Sequence, residues 1–347
     1  MKYTKYLSMI TIIALTSIGC NENKKNEQSP LVLKATQNGL KAIPTNESEL
    51  HKIINNPQNP VTKDKVEFGK KLFFEPRLSK SNLISCNSCH NLGLGGDDGV
   101  SSAIGHGWTS NPHHLNSPTV YNAVFADKQF WDGRSPDLEN QAQGPILASP
   151  EMASTKEIVV NTITSIPEYL AEYKKVFKTD EVTYEKITSA IGTFERTLVT
   201  PSRFDDFLHG NSKALTKEEE KGLETFIDKG CVSCHNGYAL GGTMQPFPAV
   251  KPFKYSNIGN FSSKIVKVPT LRNITETAPY FHNGSSWDLS ETVKIMGETQ
   301  LGLDLKDNEV QEIVTFLKTL DGRKPIISYP ILPKETSQTP KPNLDIN

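Results

Sequence analysis

The chain has 347 residues, 36% of them hydrophobic and 22% charged, with a formal net charge of −1. That length and balance suit a globular protein of two modest domains, each with its own core. Removing the first nineteen residues takes away Lys2 and Lys5 and no acid, leaving −3. That balance gives no reason to expect nucleic-acid binding, which usually needs a basic surface, and leaves room for a local patch that meets a charged protein partner.

The N-terminus reads as an export signal. Lys2 and Lys5 are followed by a run over residues 7–18 that is apolar apart from Ser and Thr. The run is too short to span a bilayer comfortably. Ile18, Gly19 and Cys20 resemble a lipoprotein processing site, although Ser17 stands where such sites usually have Leu. Residues 1–20 are thus expected to be a lipoprotein-type signal with Cys20 as a lipid anchor. An ordinary cleaved signal is the alternative. The polar run that follows reads as a flexible tether, placed over 21–45.

Next comes a helix over 62–74, with Val66, Gly69, Leu72 and Phe73 on one stripe. It leads to Cys86, Cys89 and His90. Ile187, Ala190, Ile191, Phe194 and Leu198 recur at helical spacing, and Pro201 stops that run. A second unit repeats the plan. Thr216 and Glu219 make a capping box, and a helix through Leu223, Phe226 and Ile227 leads to Cys231, Cys234 and His235. Asp307 is placed to cap a closing helix carrying Val310, Ile313, Val314, Leu317 and Leu320, with Gly322 as terminator. The domains are drawn at 46–210 and 211–325, with the boundary near 209–215. A Pro- and Thr-rich tail over 326–347 either wraps the surface or is loose.

Five cysteines are present: Cys20 and two C-x-x-C-H sets. In that motif two thiols bond the haem vinyl groups and the next His ligates iron. One copy could be a redox dithiol or part of a zinc site, whereas two in an exported chain point to two covalently bound haem c groups. The fold class is therefore mainly α, with two cytochrome c-like haem domains and long loops over 92–118 and 236–269.

The sixth iron ligands decide the function. An electron-transfer haem is held on both faces, and Met raises its potential. Met244 lies nine residues past His235 in a Gly-rich loop and reads as filler. Met296, 61 residues past His235 and near the closing helix, reads as the ligand. In the first domain the only Met is Met152. His106, sixteen residues past His90 and flanked by glycines, is a candidate that can swing. His113 and His114 compete with it.

The whole pattern over about 61–322 resembles the bacterial dihaem cytochrome c peroxidases, a family that includes tryptophan-modifying enzymes of methylamine dehydrogenase maturation. The matching blocks, besides the haem motifs, are IGHGW at 104–108, NSPTVYNAVF at 116–125, FWDGR at 130–134 and residues 141–152. VPTLRN at 268–273, PYFHNG at 279–284 and IMGETQLG at 295–302 complete them. The resemblance implies a peroxidatic N-terminal haem with His106 as displaceable ligand, and a donor C-terminal haem closed by Met296. It places Gln141 and Glu151 in the distal pocket and Trp131 between the haems. It implies a calcium site at the Asn116 side chain and the carbonyls of Thr277 and Pro279, hard oxygens that suit calcium.

A carboxylate such as Glu151 can move a proton from the inner to the outer peroxide oxygen, and Gln141 can orient the bound molecule. Without the resemblance, Glu151 would read as a helix-start acid and Trp131 as a core residue. The tryptophan-modifying branch has Tyr where this chain has Met296, which favours peroxidase here. The expected function is reduction of hydrogen peroxide to water with electrons from a small cytochrome c or cupredoxin, in a periplasmic, lipid-anchored homodimer. The alternatives are a pure electron carrier and an oxidant of a partner protein.

Overall fold

The computed structural model describes residues 29–345 apart from 260, 262 and 263. The signal, Cys20 and the first part of the tether lie outside the described residues. In chain order the helices are α1 (Pro30–Gln37), α2 (Glu47–Ile54), α3 (Lys63–Phe73), α4 (Cys86–Cys89), α5 (Leu138–Gln141) and α6 (Gln143–Leu147). They continue as α7 (Lys156–Ser165), α8 (Pro167–Phe177), α9 (Tyr184–Glu195), α10 (Arg203–Leu208), α11 (Lys217–Asp228), α12 (Leu289–Leu301) and α13 (Asp307–Leu317). Strands β1 (Met244–Pro246) and β2 (Ile265–Lys267) form a small antiparallel ribbon, with Met244 opposite Lys267.

Each haem motif hangs from a crossed pair of helices. Thr62 caps α3 by accepting from Lys65 N, and Phe68, Leu72 and Phe73 turn into the first core with Ile187, Ile191 and Phe194 of α9. The backbones come so close that a Cβ on Gly69 would lie 1.9 Å from Ala190 O. The same device recurs in α11 and α13: a Cβ on Gly222 would lie 2.1 Å from Glu312 O. Only glycine permits such an approach. The Thr216–Glu219 capping box is present at the start of α11.

The structure differs from the sequence expectations at three boundaries. The tether placed over 21–45 is ordered from α1 onward, where Val32 and Ala35 are buried in the second core. That core also takes Phe204, Phe207 and Leu208 of α10, ahead of the expected boundary at 209–215. Lys306, not Asp307, occupies the cap of α13, and its backbone N–H donates to Glu309. The C-terminal segment wraps back over the first domain. Tyr329 packs on Phe74 at 4.6 Å between ring centres, Thr336 Oγ1 donates to Ser165 O at 3.0 Å, and Asn343 N donates to Lys80 O at 2.8 Å.

Between the domains, Thr200 Oγ1 accepts from the Asn122 amide at 2.7 Å and from the Asn273 amide at 2.9 Å. Beside this joint lies a fully buried ion pair. The two Arg272 Nη groups each donate to an Asp205 carboxylate oxygen at 2.8 Å, and Arg272 Nε donates to Tyr238 O. Asp205 also accepts from Ile43 N and Ser202 N, both at 2.7 Å. Burial pushes the Asp205 carboxyl upward, but Arg272 and these donors outweigh it and hold the group below the usual carboxylate range. A carboxylate held low stabilises the fold above its unfolded pKa and loses that contribution as pH falls through its folded value. Arg272→Met strands a buried charge and should cost about 3–5 kcal/mol. Denaturant unfolding of the haem-loaded protein at neutral pH measures this, and a loss below about 1 kcal/mol would show that the pair is not structural.

Candidate active site

The first motif is built on a single helical turn. Ser85 and Ser88 form a capping box around α4, with Ser85 N donating to Ser88 Oγ at 3.0 Å. The turn ends at His90, whose N–H donates to Cys86 O at 2.9 Å. His90 Nδ1 lies 3.0 Å from Pro118 O; a carbonyl only accepts, so Nδ1 carries the proton and Nε2 is left for metal. Burial outweighs that hydrogen bond and pulls the imidazole down to about 4. Neutral imidazole with its second nitrogen fixed by a carbonyl is the form that ligates metal.

The second motif repeats this arrangement. Gly230 turns the chain left-handed at φ 84°, a short 3-10 turn spans Cys231–Ser233, and His235 N donates to Cys231 O at 3.0 Å. His235 Nδ1 lies 3.0 Å from Leu240 O, and burial again pulls the ring down to about 4. All four described cysteines are free thiols. A redox dithiol needs a lowered thiol pKa, whereas burial pushes Cys89 and Cys231 up to about 12 and Cys86 further still. Raised thiols of this kind do not fit a redox dithiol, and the C-x-x-C-H spacing suits covalent attachment of a group.

Haem fits the second place by the chemistry of what lines it, and the first by its free thiols and carbonyl-anchored His90. Cys231, Cys234, His235 and Met296 open into one cavity whose other walls include Phe226, Leu271, Ile274, Ile313 and Leu317. Met296 sits on α12 rather than in a loop, while Met244 packs its side chain against Gly133. At the first site Met152 is buried in the core, and His113 and His114 are exposed where His106 is buried. The Oε2 of Glu195, a buried carboxyl whose charge reaches Cys86, has no hydrogen-bond partner among the described residues.

The His106 loop is strapped to Glu151. His106 N donates to Glu151 O at 2.8 Å, and a Cβ on Gly105 would lie 1.9 Å from Pro150 O. The glycine beside His106 therefore serves close packing as well as freedom. Ile104 O faces Cys89 Sγ at 4.0 Å, which brings the loop to the first motif. Burial raises the Glu151 carboxyl above its ordinary value, partly offset by Arg134. Gln141 ends α5, half-buried. The structure gives no hydrogen bond between Gln141 and Glu151.

Trp131 lies on the wall of the Met296 cavity. Its Nε1 donates to Asn116 O at 2.8 Å, and its carbonyl accepts from Lys267 N at 2.7 Å. The Asn116 amide in turn contacts Pro279 O at 2.6 Å, and Thr277 lines the same cavity. Among the described residues no group of three or more His, Cys, Asp or Glu is arranged to hold a metal ion. A cation at Asn116, Thr277 and Pro279 would rest on neutral oxygens, which calcium accepts. Sequence reasoning passed over Thr200, Arg272 and Lys267. The recurrence of Pro-Thr-x-x-Asn at 118–122 and 269–273 signals Arg272, whereas Thr200 and Lys267 carry no local signal.

Comparison with known proteins agrees with this geometry. A family profile described as di-haem cytochrome c peroxidase matches residues 63–213, and one described as cytochrome c matches 219–321. A cytochrome c551 peroxidase of Nitrosomonas europaea is 48% identical over 81% of this chain and 87% of its own length. A cytochrome c551 peroxidase of Pseudomonas aeruginosa is 45% identical over 87% of this chain and 90% of its own. The crystal structure of a MauG-like protein associated with microbial copper homeostasis shares the fold, with a TM-score of 0.67 at 24% identity over 77% of this chain and 92% of its own. The paired motifs, their buried histidines and these relatives together show that the chain belongs to the di-haem cytochrome c peroxidase family, enzymes with two cytochrome c-type haem domains.

Proposed function

We propose that the chain reduces hydrogen peroxide to water, taking electrons from a small cytochrome c or cupredoxin on its Met296 side and using them on its His106 side. The observation that carries this direction is the unequal surroundings of the two proximal histidines. His235 shares its cavity with a thioether, whereas the loop that reaches the first motif at Cys89 carries a histidine tied by its backbone to the Glu151 carbonyl. Methionine ligation favours a high potential and electron entry. When bound, the two haems supply one-electron storage and an iron that can accept peroxide.

The protein side chains do the rest. Reduction of one peroxide to two waters consumes two electrons and two protons. Glu151, whose proton affinity burial raises, moves a proton from the inner peroxide oxygen to the outer one. Gln141 orients the bound peroxide by hydrogen bonding, and His106 guards the position until it is released. Trp131, clamped at both its indole and its carbonyl, stands on the electron path. Calcium at the Asn116 side-chain oxygen and the carbonyls of Thr277 and Pro279 would replace the Asn116 amide–Pro279 hydrogen bond and brace the residue whose carbonyl accepts from the Trp131 indole. The chain is placed in the periplasm as a homodimer anchored through Cys20.

Glu151→Gln keeps the shape and removes the acid. Both haem spectra should stay nearly intact while peroxide turnover falls about 10²–10⁴-fold. Steady-state peroxide consumption measures this, and wild-type turnover would remove Glu151 from the mechanism. Met296→His should lower the reduction potential of the second haem, since thioether ligation raises it. A spectroelectrochemical titration reads that potential, and no change would place the ligand elsewhere.

A further inference from the structure

Lys267 carries a charge that no described residue neutralises. It ends β2, 8% exposed, and lines the cavity shared by Cys231, His235, Met296 and Trp131. Its Nζ has no hydrogen bond or ion pair among the described residues. Burial alone pushes the amine down to about 8, and no acidic side chain among the described residues offsets it. Lys65, buried to the same degree, shows the ordinary solution: its Nζ donates to Asn59 Oδ1 at 2.8 Å.

A buried ammonium persists where a partner of opposite charge is supplied. Among the described residues lining this cavity, Lys267 is the one Lys or Arg, and Asp97 is an acid there that exerts no resolved pull on it. The covalent haem that the two-haem assignment puts in the cavity brings propionate carboxylates. Lys267 also reaches the other site: its charge is among those that lower the proton affinity of His90. Its backbone holds Trp131 in place from the second domain.

We infer that Lys267 is a positioning residue between the two haems, pairing with a haem propionate at the domain junction and raising the reduction potential there. A positive charge near a haem favours the form with one more electron, so its loss lowers the potential. By keeping both potentials up while its N–H fixes Trp131, Lys267 sets the driving force across the electron path.

The test uses the full haem-loaded chain with Lys267→Met and Lys267→Arg, titrating each haem by absorbance. In the Met variant the equilibrium constant for reducing at least one haem should fall tenfold or more, equivalent to about 59 mV for one electron. The Arg variant, which keeps the charge, should restore it. If Lys267→Met does not mature, Lys267→Gln is titrated against the same criterion. Haem counted per chain separates the two ideas: fewer than two in the unaltered protein defeats the two-haem assignment. Two haems with potentials unmoved in the neutral variants overturn the role given to Lys267.

Discussion

The joint at Thr200 fixes how the two halves of the molecule face each other. Its hydroxyl oxygen accepts from the amides of Asn122 and Asn273, while its own N–H donates to Asn122 Oδ1 at 2.9 Å. Asn122 and Asn273 occupy matching places, each left-handed at φ 62° and 58° and each followed by a short 3-10 turn. Ahead of them, Thr119 Oγ1 donates to Gly95 O and Thr270 Oγ1 to Ala239 O, both at 2.7 Å. Each half thus ties its own post-motif loop to a Pro-Thr-x-x-Asn strap, and the two straps meet on one buried threonine. A buried hydroxyl satisfied from both sides is costly to break from either.

On this repeated frame the two sites diverge. The proximal sides are alike, with both imidazoles neutral, buried and anchored to carbonyls. The residues proposed for the far sides come from different kinds of element. Met296 comes from a thirteen-residue helix, α12, which resists displacement. His106 comes from a loop whose hold is a backbone bond to Glu151 and glycine packing against Pro150. Helical backbone hydrogen bonds fix the proposed ligand Met296, and a loop tied to the Glu151 backbone carbonyl carries the proposed ligand His106. The proposed division into a donor site and a reactive one rests on that difference.

Much of this was legible in the sequence because covalent chemistry demands fixed spacing. The C-x-x-C-H motifs, the Thr216 capping box and the α3 and α9 stripes are local patterns, and the structure shows the helices in place. The tether boundary was not legible: Val32 and Ala35 have helical spacing, but their burial depends on a core built from residues more than 150 positions away. The α13 cap moved by one residue because Lys306 N finds Glu309, while Asp307 turns to Lys294. Thr200 and Asp205 carry no local signature, since their partners are brought by the tertiary fold. Lys267 reads as an ordinary surface lysine until the cavity around it is known.

Half-reducing the haem-loaded protein in the presence of calcium tests the asymmetry most directly. One electron per chain should go to the Met296 side, release His106, convert the first haem to a high-spin signature and give rapid peroxide consumption. If both haems stay low-spin after half-reduction and peroxide is not consumed, the chain is an electron carrier and the asymmetric account is wrong.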